Sequence, residues 1–318
     1  MNNRILIAGG AGFIGTHLTK KYLDKGFDVI VLDNLSTGRA KNLEPFFSLP
    51  NFYFYKMDIE NQPNLEFLGP IDYVVNLACP ASPIHYQKNP VKTFRTCIIG
   101  TENLLRLAKT FNAVFLQAST SEIYGDPLKS PQNEEDWGNV NPIGPRSCYD
   151  EGKRASETLI MDYHNQYQVR TKIMRIFNTY GPYMDKGDGR VVSNFICQAL
   201  RGEDLTIYGD GSQTRSFQYI DDLINAIERL LNTDDDFIGP VNLGNPDEFT
   251  IKELAEKVLH ITGKDNKLIY KDLPQDDPKQ RKPDIDLANR KLDWRPVVKL
   301  DEGLVKTIHY FKKEIKNG

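Results

Sequence analysis

The sequence predicts an α/β fold of the Rossmann type: a doubly wound parallel sheet followed by a smaller C-terminal substrate-binding domain. Three observations predict it. Short β-branched runs alternate with amphipathic stretches through the first half, the runs are apolar throughout, and a glycine-rich turn joins the first run to the first helix. Strands that are apolar on both faces need helices on both sides, which parallel strands with crossover helices provide. A chain of 318 residues is long enough to bury such a core.

Taken in order, the strands are expected at ILIAG (5–9), DVIVLD (28–33), FYFYKMD (52–58), YVVNLA (73–78), VFLQAS (114–119) and KIMRIF (172–177), with helices between them at THLTKKYLDKG (16–26) and GTENLLRLAKT (100–110). CYDEGK (148–153) reads as the first turn of a further helix, with Tyr149 and Lys153 four residues apart and so on one face. Taken alone, that pair is an ordinary solvated contact worth a few tenths of a kcal/mol. After residue 178 the rhythm changes to loops rich in Gly, Pro, Asp and Arg, with helices near 191–201, 221–231 and 250–262. Thr250 and Glu253 open the last of these in capping-box spacing. Residues 1–178 are therefore expected to form the dinucleotide-binding domain, and 179–318 mainly the second domain, with some segments returning to the first.

Composition limits the partners. A formal net charge of −3 gives no general basic footprint for nucleic acid, so an anionic ligand must be held by local groups. Cys79, Cys97, Cys148 and Cys197 are scattered singly, without zinc spacing, and read as reduced, mostly structural thiols. No metal site is expected. An apolar strand begins within a few residues of the N-terminus, with no signal peptide and no apolar run of membrane-spanning length, so a cytoplasmic protein without a membrane partner is expected.

GGAGFIG (9–15) follows the first strand and opens the first helix. Gly10, Gly12 and Gly15 satisfy one dinucleotide spacing, and Gly9, Gly12 and Gly15 the variant with an extra residue. Either way, a tight turn brings backbone close to a pyrophosphate at a helix N-terminus, whose free N–H groups favour the anion. Asp33 ends the second strand, where a carboxylate accepts from a ribose 2′-hydroxyl and repels a 2′-phosphate, so NAD is favoured over NADP despite Arg39 nearby. Asp58, at the end of the third strand, either lies near the adenine or caps a turn. Ser119, Thr120, Ser121 and Glu122 leave the carboxyl end of a strand, where open α/β sheets bind ligands. A cation within a few ångström of the Tyr149 phenol would favour phenolate by about 1–3 pH units, poising a base nearer neutral pH.

With Thr120, Tyr149 and Lys153 in place, the chain resembles the extended short-chain dehydrogenase/reductase superfamily. Within it the sequence looks most similar to the UDP-glucuronate decarboxylases, or UDP-xylose synthases. The resemblance covers nearly the whole chain: NLACPASP (76–83), STSEIYGDP (119–127), NPIGPRSCYDEGKR (141–154), RIFNTYGP (175–182), DGRVVSNF (188–195), YGDGSQTRSFQY (208–219) and QDDPKQRKPDI (275–285). The first and last pieces and the Ser121-Glu122 pair discriminate; the others are shared with nucleotide-sugar epimerases.

The resemblance implies NAD as a bound, regenerated cofactor and a conversion of UDP-glucuronate to UDP-xylose and CO2 through a UDP-4-keto intermediate. It implies that Tyr149 is the acid/base for the C4 hydroxyl, Lys153 the partner that lowers its pKa and binds the nicotinamide ribose, and Thr120 a donor to the C4 oxygen. Ser121 and Glu122 would handle the proton at C5 or its water, and Arg281 would orient the sugar acid and diphosphate. Cofactor contacts implied are Gly9, Gly12, Phe13, Ile14, Gly15, Asp33, Asn34, Ser36, Thr37, Gly38, Asp58, Ile59, Leu77, Ala78, Thr96, Ala118, Thr179 and Arg190. Substrate contacts implied are Pro80, Ser82, Arg95, Asn178, Val192, Tyr208, Gln213 and Arg215. A homodimer through a four-helix bundle is also implied, with Leu104, Leu105, Leu107, Ala108, Leu159, Ile160 and Tyr163 available either to its seam or to the sheet-facing core. The competing expectations are a 4-epimerase, a 4,6-dehydratase, a decarboxylase that releases the 4-keto pentose with NADH, and a non-catalytic protein on the same fold.

Overall fold

The computed structural model describes residues 2–61, 65–273 and 280–316. The first half runs β1 (Arg4–Ala8), α1 (Phe13–Asp24), β2 (Asp28–Asp33), β3 (Phe52–Lys56), β4 (Tyr73–Asn76), α2 (Pro83–Tyr86), α3 (Pro90–Arg95), α4 (Thr101–Phe111), β5 (Val114–Thr120), α5 (Ser147–Tyr167) and β6 (Thr171–Ile176). There follow β7 (Thr179–Tyr180), α6 (Val191–Arg201), β8 (Leu205–Tyr208), β9 (Thr214–Ser216), β10 (Gln218–Tyr219), α7 (Ile220–Leu231), β11 (Val241–Leu243) and β12 (Glu248–Thr250). The chain continues through α8 (Ile251–Thr262), β13 (Leu268–Lys271), β14 (Gln280–Arg281), α9 (Asp286–Leu292) and α10 (Leu300–Lys316).

A seven-stranded sheet in the order β11-β6-β5-β4-β1-β2-β3 organises the molecule, and every pairing in it is parallel. The Rossmann-type expectation is borne out, and the strand order reverses between β1 and β4, where the cleft opens. The six expected strands lie within a residue or two of their predicted ends. The seventh, β11, was not anticipated: at three residues, VNL is too short to show a pattern, and it is a strand because it pairs with Met174 to Ile176 of β6.

Alternate residues of the strands explain why they are apolar throughout. Ile5 and Ile7 of β1 face a layer that includes Leu18 and Tyr22 of α1 and Ile227 of α7. Leu6 and Ala8 face the other layer, with Leu104 and Leu105 of α4 and Ile160 of α5. Leu107, Ala108 and Tyr163 are buried in that same layer, and Leu159 packs against it. The residues left open between a dimer seam and the core are therefore core: they cover this chain's own sheet.

The three helices expected after residue 178 form as α6, α7 and α8, and both halves of the Thr250–Glu253 capping box are made. The helix expected at 100–110 starts earlier, because α3 runs through a π-helical segment, Thr96–Gly100, into α4. Gly100 fits there since a Cβ would stand 2.5 Å from Ile59. No helix among the described residues is long and apolar enough to cross a membrane.

Behind the cleft, Glu157 of α5 ties the helix to the sheet. Its carboxylate accepts two hydrogen bonds from Arg175 of β6, at 2.8 and 3.1 Å, and one from Ser119 of β5 at 2.5 Å. Arg175 also donates to the Tyr124 hydroxyl, which donates to Asn242 of β11. Both members of the ion pair are largely buried, with side-chain exposures of 9% and 14%. Glu157→Leu strands that guanidinium, and the expected loss of unfolding free energy is about 3–5 kcal/mol. Urea denaturation of wild type and variant at pH 7 measures it, and Glu157→Gln, which still accepts from Ser119, is expected to lose less.

Candidate active site

The cleft beyond the carboxyl ends of the strands is one cavity of about 1130 Å³. Its floor is the turn after β1. Gly9 has φ of 80°, and a Cβ there would meet the Leu77 carbonyl carbon at 2.8 Å. At Gly15, the third residue of α1, a Cβ would lie 2.3 Å from the Gly9 carbonyl oxygen. Those contacts are backbone on backbone, so only glycine permits the turn to close against the helix.

At the far end Asp33 is buried, and its carboxylate accepts from the Ala11 N–H at 3.0 Å and the Leu35 N–H at 2.8 Å. Burial raises its pKa against the pull of those two donors. Gly38 lies so close that a Cβ would sit 2.8 Å from the Asp33 carboxylate. Asn34, Ser36 and Thr37 line the same end of the cavity. Asp58 caps a turn, one of the two roles left open for it, by accepting from the Glu60 N–H at 3.0 Å; it also lines the cavity, held by Asn34 at 2.9 Å and Lys92 at 2.7 Å. Arg39 lines the cavity too but is paired with Asp185.

At the middle of the cleft, α5 meets the end of β5. Tyr149, Lys153 and Glu157 follow one another at four-residue spacing, on one helical face. Tyr149 hydrogen-bonds with Thr120, Lys153 donates to the Ala118 carbonyl at 2.8 Å, and Glu157 accepts from Ser119. Both Tyr149 and Lys153 are 5% exposed, so the pair is no solvated helix contact. Lys153 Nζ stands 5.8 Å from the centre of the Tyr149 ring.

The expectation of a phenol drawn toward neutral pH is not met by this chain alone. Burial pushes Tyr149 well above 10, the Cys79 thiol beside it adds to that, and the Thr120 hydrogen bond opposes it. The ammonium of Lys153 is committed to the Ala118 carbonyl rather than to the phenol oxygen.

The third part is an ionic cluster assembled from three distant segments. Glu122 lies in a short 3-10 turn (Ser121–Tyr124) directly after β5, with the Glu122 N–H donating to the Thr120 hydroxyl at 3.2 Å. Arg281 of β14 grips the Glu122 carboxylate with both terminal nitrogens, at 2.8 and 2.9 Å, and Arg146 donates to it at 2.7 Å. Burial alone would raise the Glu122 pKa, but Arg281 and Arg146 outweigh it and hold the group below the usual range, ionised. Asp150, one turn into α5, is pushed up to about 7 by burial and by the charge of Glu122. Arg281 also donates to Asn178 at 3.2 Å, and it stands in register beside Arg215 of β9.

All the sequence-derived site residues except Arg95 line this cavity: Phe13, Ile14, Ile59, Leu77, Ala78, Thr96, Thr179 and Arg190 on the cofactor side, and Pro80, Ser82, Asn178, Val192, Tyr208, Gln213, Arg215 and Arg281 on the other. Arg190 lies over the Phe13 ring, held by Asp188. Arg95 does not line it. Its side chain is half exposed and is drawn to Glu60, at 3.2 Å, on the outside of the helix turn. Lys92, one turn earlier, faces the cleft instead. Residues Gln275 to Lys279 of the motif at 275–285 lie outside the described residues.

Of the lining residues that the sequence did not single out, three matter most to the site. Arg146 sits three residues before Tyr149 inside a stretch already singled out, so its position was a usable signal. Lys92 lies in NPVKT, one helical turn from Thr96. Tyr86 carried no signal: its ring stacks on Tyr149, centroids 5.0 Å apart and planes 4° from parallel, and only the folded chain brings them together.

Residues 5–244 match the NAD dependent epimerase/dehydratase family. The chain is 52% identical over 314 residues to UDP-glucuronic acid decarboxylase 1 of Arabidopsis thaliana, covering 99% of this chain and 71% of that one. It is 53% identical over 304 residues to UDP-glucuronic acid decarboxylase 5 of the same plant, covering 95% and 87%. Its fold superposes, at a TM-score of 0.89 and 31% identity over 98% of this chain and 99% of the other, on the UDP-glucuronic acid 4-epimerase of Bacillus cereus, whose structure is in complex with UDP-glucuronic acid and NAD. The chain belongs to the NAD dependent epimerase/dehydratase family, among its UDP-glucuronic acid decarboxylases.

The lowered pKa of Glu122 sets a pH dependence. A carboxylate held below its unfolded value contributes fully above the ordinary glutamate range, about pH 4.3, and loses that contribution as pH falls through the native value. Glu122→Gln leaves two buried guanidiniums facing a neutral amide, with an expected loss at pH 7 of about 3 kcal/mol. The gap from wild type is expected to close as urea melts are repeated from pH 7 down to pH 3.

Proposed function

We propose that the protein decarboxylates UDP-glucuronate to UDP-xylose and CO2 through a UDP-4-keto intermediate, redox-neutral overall, with NAD in the glycine-turn end of the cleft. The observation that carries this reading is the alignment of Thr120, Tyr149 and Lys153 beside the Arg281–Glu122–Arg146 cluster in one cavity. The names of the relatives identical to this chain at about half of their positions support it. The residues fit the cofactor: a Cβ at Gly9 or Gly15 would strike backbone, so the turn closes tightly on the N-terminus of α1 as a pyrophosphate site requires, and Asp33 lines the far end of the cleft, where a ribose hydroxyl is expected. When bound, NAD supplies a reversible hydride acceptor and a positive charge near the phenol.

Tyr149 takes the C4 hydroxyl proton in the reading proposed here, and Thr120 holds both the phenol and the C4 oxygen in line. Thr120 and the C4 hydroxyl itself are the donors that favour the phenolate and offset the burial that raises the phenol's pKa; after the transfer, Thr120 and the protonated Tyr149 are the donors at the C4 oxygen. Once C4 is a ketone, the C6 carboxylate is β to it. The C5–C6 bond then breaks with its electron pair delocalised onto the C4 oxygen, which the same donors stabilise. Glu122, ionised under its two arginines, is suited to accept and orient rather than to donate, so Ser121 is left to position the water that returns a proton to C5. Arg281, with Arg215 and Asn178 beside it, fits the diphosphate or the sugar acid by the planar fork of its guanidinium. Tyr208, Gln213 and Val192 are assigned to the uridine side.

We also propose a cytoplasmic setting, which four free cysteines suit. The homodimer would use the outward faces of the α3–α4 segment and of α5, because the inward faces of α4 and α5 are spent on the core; sedimentation velocity tests it.

A 4-epimerase acting on the same sugar acid is the second reading, favoured by the likeness to the Bacillus cereus structure. Incubation with UDP-glucuronate and NAD+ separates them. UDP-xylose and CO2 without net NADH are expected. CO2 with stoichiometric NADH means release of the keto pentose, and a product that keeps its carboxylate but is inverted at C4 means epimerisation. Tyr149→Phe is expected to lower kcat by about 10²–10⁴ while leaving NAD affinity near wild type. Gly15→Ala, by contrast, is expected to weaken NAD binding by about tenfold or more, roughly 1.4 kcal/mol, by calorimetric titration.

A further inference from the structure

Cys79 and Cys97 lie 18 positions apart, yet their sulfurs are 3.3 Å apart in the fold. Cys79 lines the cleft two residues after Leu77, and Cys97 lies behind it in the π-helical segment, 2% exposed. A thiol pair in hydrogen-bonding contact beside a ligand cavity is not explained by packing of the apolar layers, since neither sulfur belongs to the cluster that α4 and α5 form on that face.

We propose that Cys79 and Cys97 form a reversible disulfide under peroxide, and that this bond lowers cofactor binding by shifting the wall of the cleft. One sulfur attacks peroxide, whose O–O bond breaks to leave a sulfenic acid and water. The second sulfur attacks the first, the S–O bond breaks, and the oxygen leaves as a second water. Two thiols lose two electrons and two protons, and one peroxide becomes two waters.

The chemistry of the pair favours the first step. The hydrogen bond from Cys79 draws the Cys97 thiol below its usual value against the effect of burial, and the Lys153 ammonium adds to that pull. Thiolate character, rather than the thiol, governs reaction with peroxide. Closing the bond moves the sulfurs from 3.3 Å to about 2.05 Å, a contraction of roughly 1.2 Å.

The backbone on both sides of the pair reaches the glycine-turn end of the cleft. Cys79 N–H is bonded to the Leu77 carbonyl, and Leu77 is the backbone against which Gly9 of the glycine turn lies with no room for a Cβ. On the other side, Cys97 adjoins Thr96, which lines the cavity and donates to Glu60 at 2.5 Å. A covalent bond between the two segments therefore draws together two walls that are otherwise tied by hydrogen bonds, such as that from Asn76 to Thr101 at 3.1 Å.

The test uses the full chain, hydrogen peroxide as oxidant, and NAD affinity as the readout, so it does not depend on which sugar reaction the site performs. After peroxide and alkylation, a Cys79–Cys97 linked peptide and a mass loss of two hydrogens are expected. NAD affinity is expected to fall by tenfold or more and to return with dithiothreitol. Cys97→Ala is expected to bind NAD as wild type does and to keep that affinity after peroxide. A link from Cys97 to Cys148, two or three added oxygens on either cysteine instead of a link, or a linked protein with unchanged NAD affinity would each overturn the proposal. If Cys97→Ala does not fold, Cys97→Ser and the wild-type peptide map decide the same question.

Discussion

Three hydrogen bonds to one carboxylate, that of Glu157, hold the working end of this molecule together. They fasten α5 to β5 through Ser119 and to β6 through Arg175. Because Glu157 shares a helical face with Lys153 and Tyr149, fixing it fixes the whole face, and the phenol is delivered to Thr120 as a consequence. A helix resting on the sheet only by apolar contact can slide by a fraction of a turn at little cost. A charge-assisted, two-pronged pair in a buried place cannot slide without exposing an unpaired charge.

The cleft itself is defined by what is missing from it. Gly9, Gly15 and Gly38 stand where a single methyl would strike backbone or the Asp33 carboxylate, so the cavity floor is bare peptide. Asp33 in turn spends both its oxygens on the N–H groups of Ala11 and Leu35, which makes it part of the turn's architecture as well as the carboxylate at its end. The opposite wall is ionic. Glu122, Arg146 and Arg281 come from a turn after β5, the entrance to α5 and the short β14, so the carboxylate near Tyr149 is clamped by residues from both halves of the chain.

This division of labour has an electrostatic consequence. Burial works on Tyr149, Glu122 and Asp150 alike, pushing each toward its neutral form. Arg281 and Arg146 act on Asp150 as well, but they touch Glu122 directly, at 2.8 and 2.7 Å, and of the three groups only Glu122 is driven the other way. Adjacent groups thus hold different protonation states at neutral pH, a condition for placing an acceptor and a proton-transfer group within one site.

The sequence by itself determined the sheet and the glycine-turn end of the cleft. Strands apolar on both faces, the spacing of Gly9, Gly12 and Gly15, and Asp33 at a strand terminus are local patterns, and local patterns survive in a one-dimensional record. The Thr120, Tyr149 and Lys153 set was legible because each sits at a strand end or a helical interval that spacing reveals. What only the tertiary structure decided is what depends on distant segments meeting. Val241–Leu243 is a strand because β6 is there to pair with it. Tyr86 lies on Tyr149, Arg95 turns out to Glu60 while Lys92 turns in, and Cys79 meets Cys97. The direction of the Tyr149 pKa belongs to the same group, since desolvation is a property of all the atoms around the phenol and leaves no mark in the spacing of a tyrosine and a lysine.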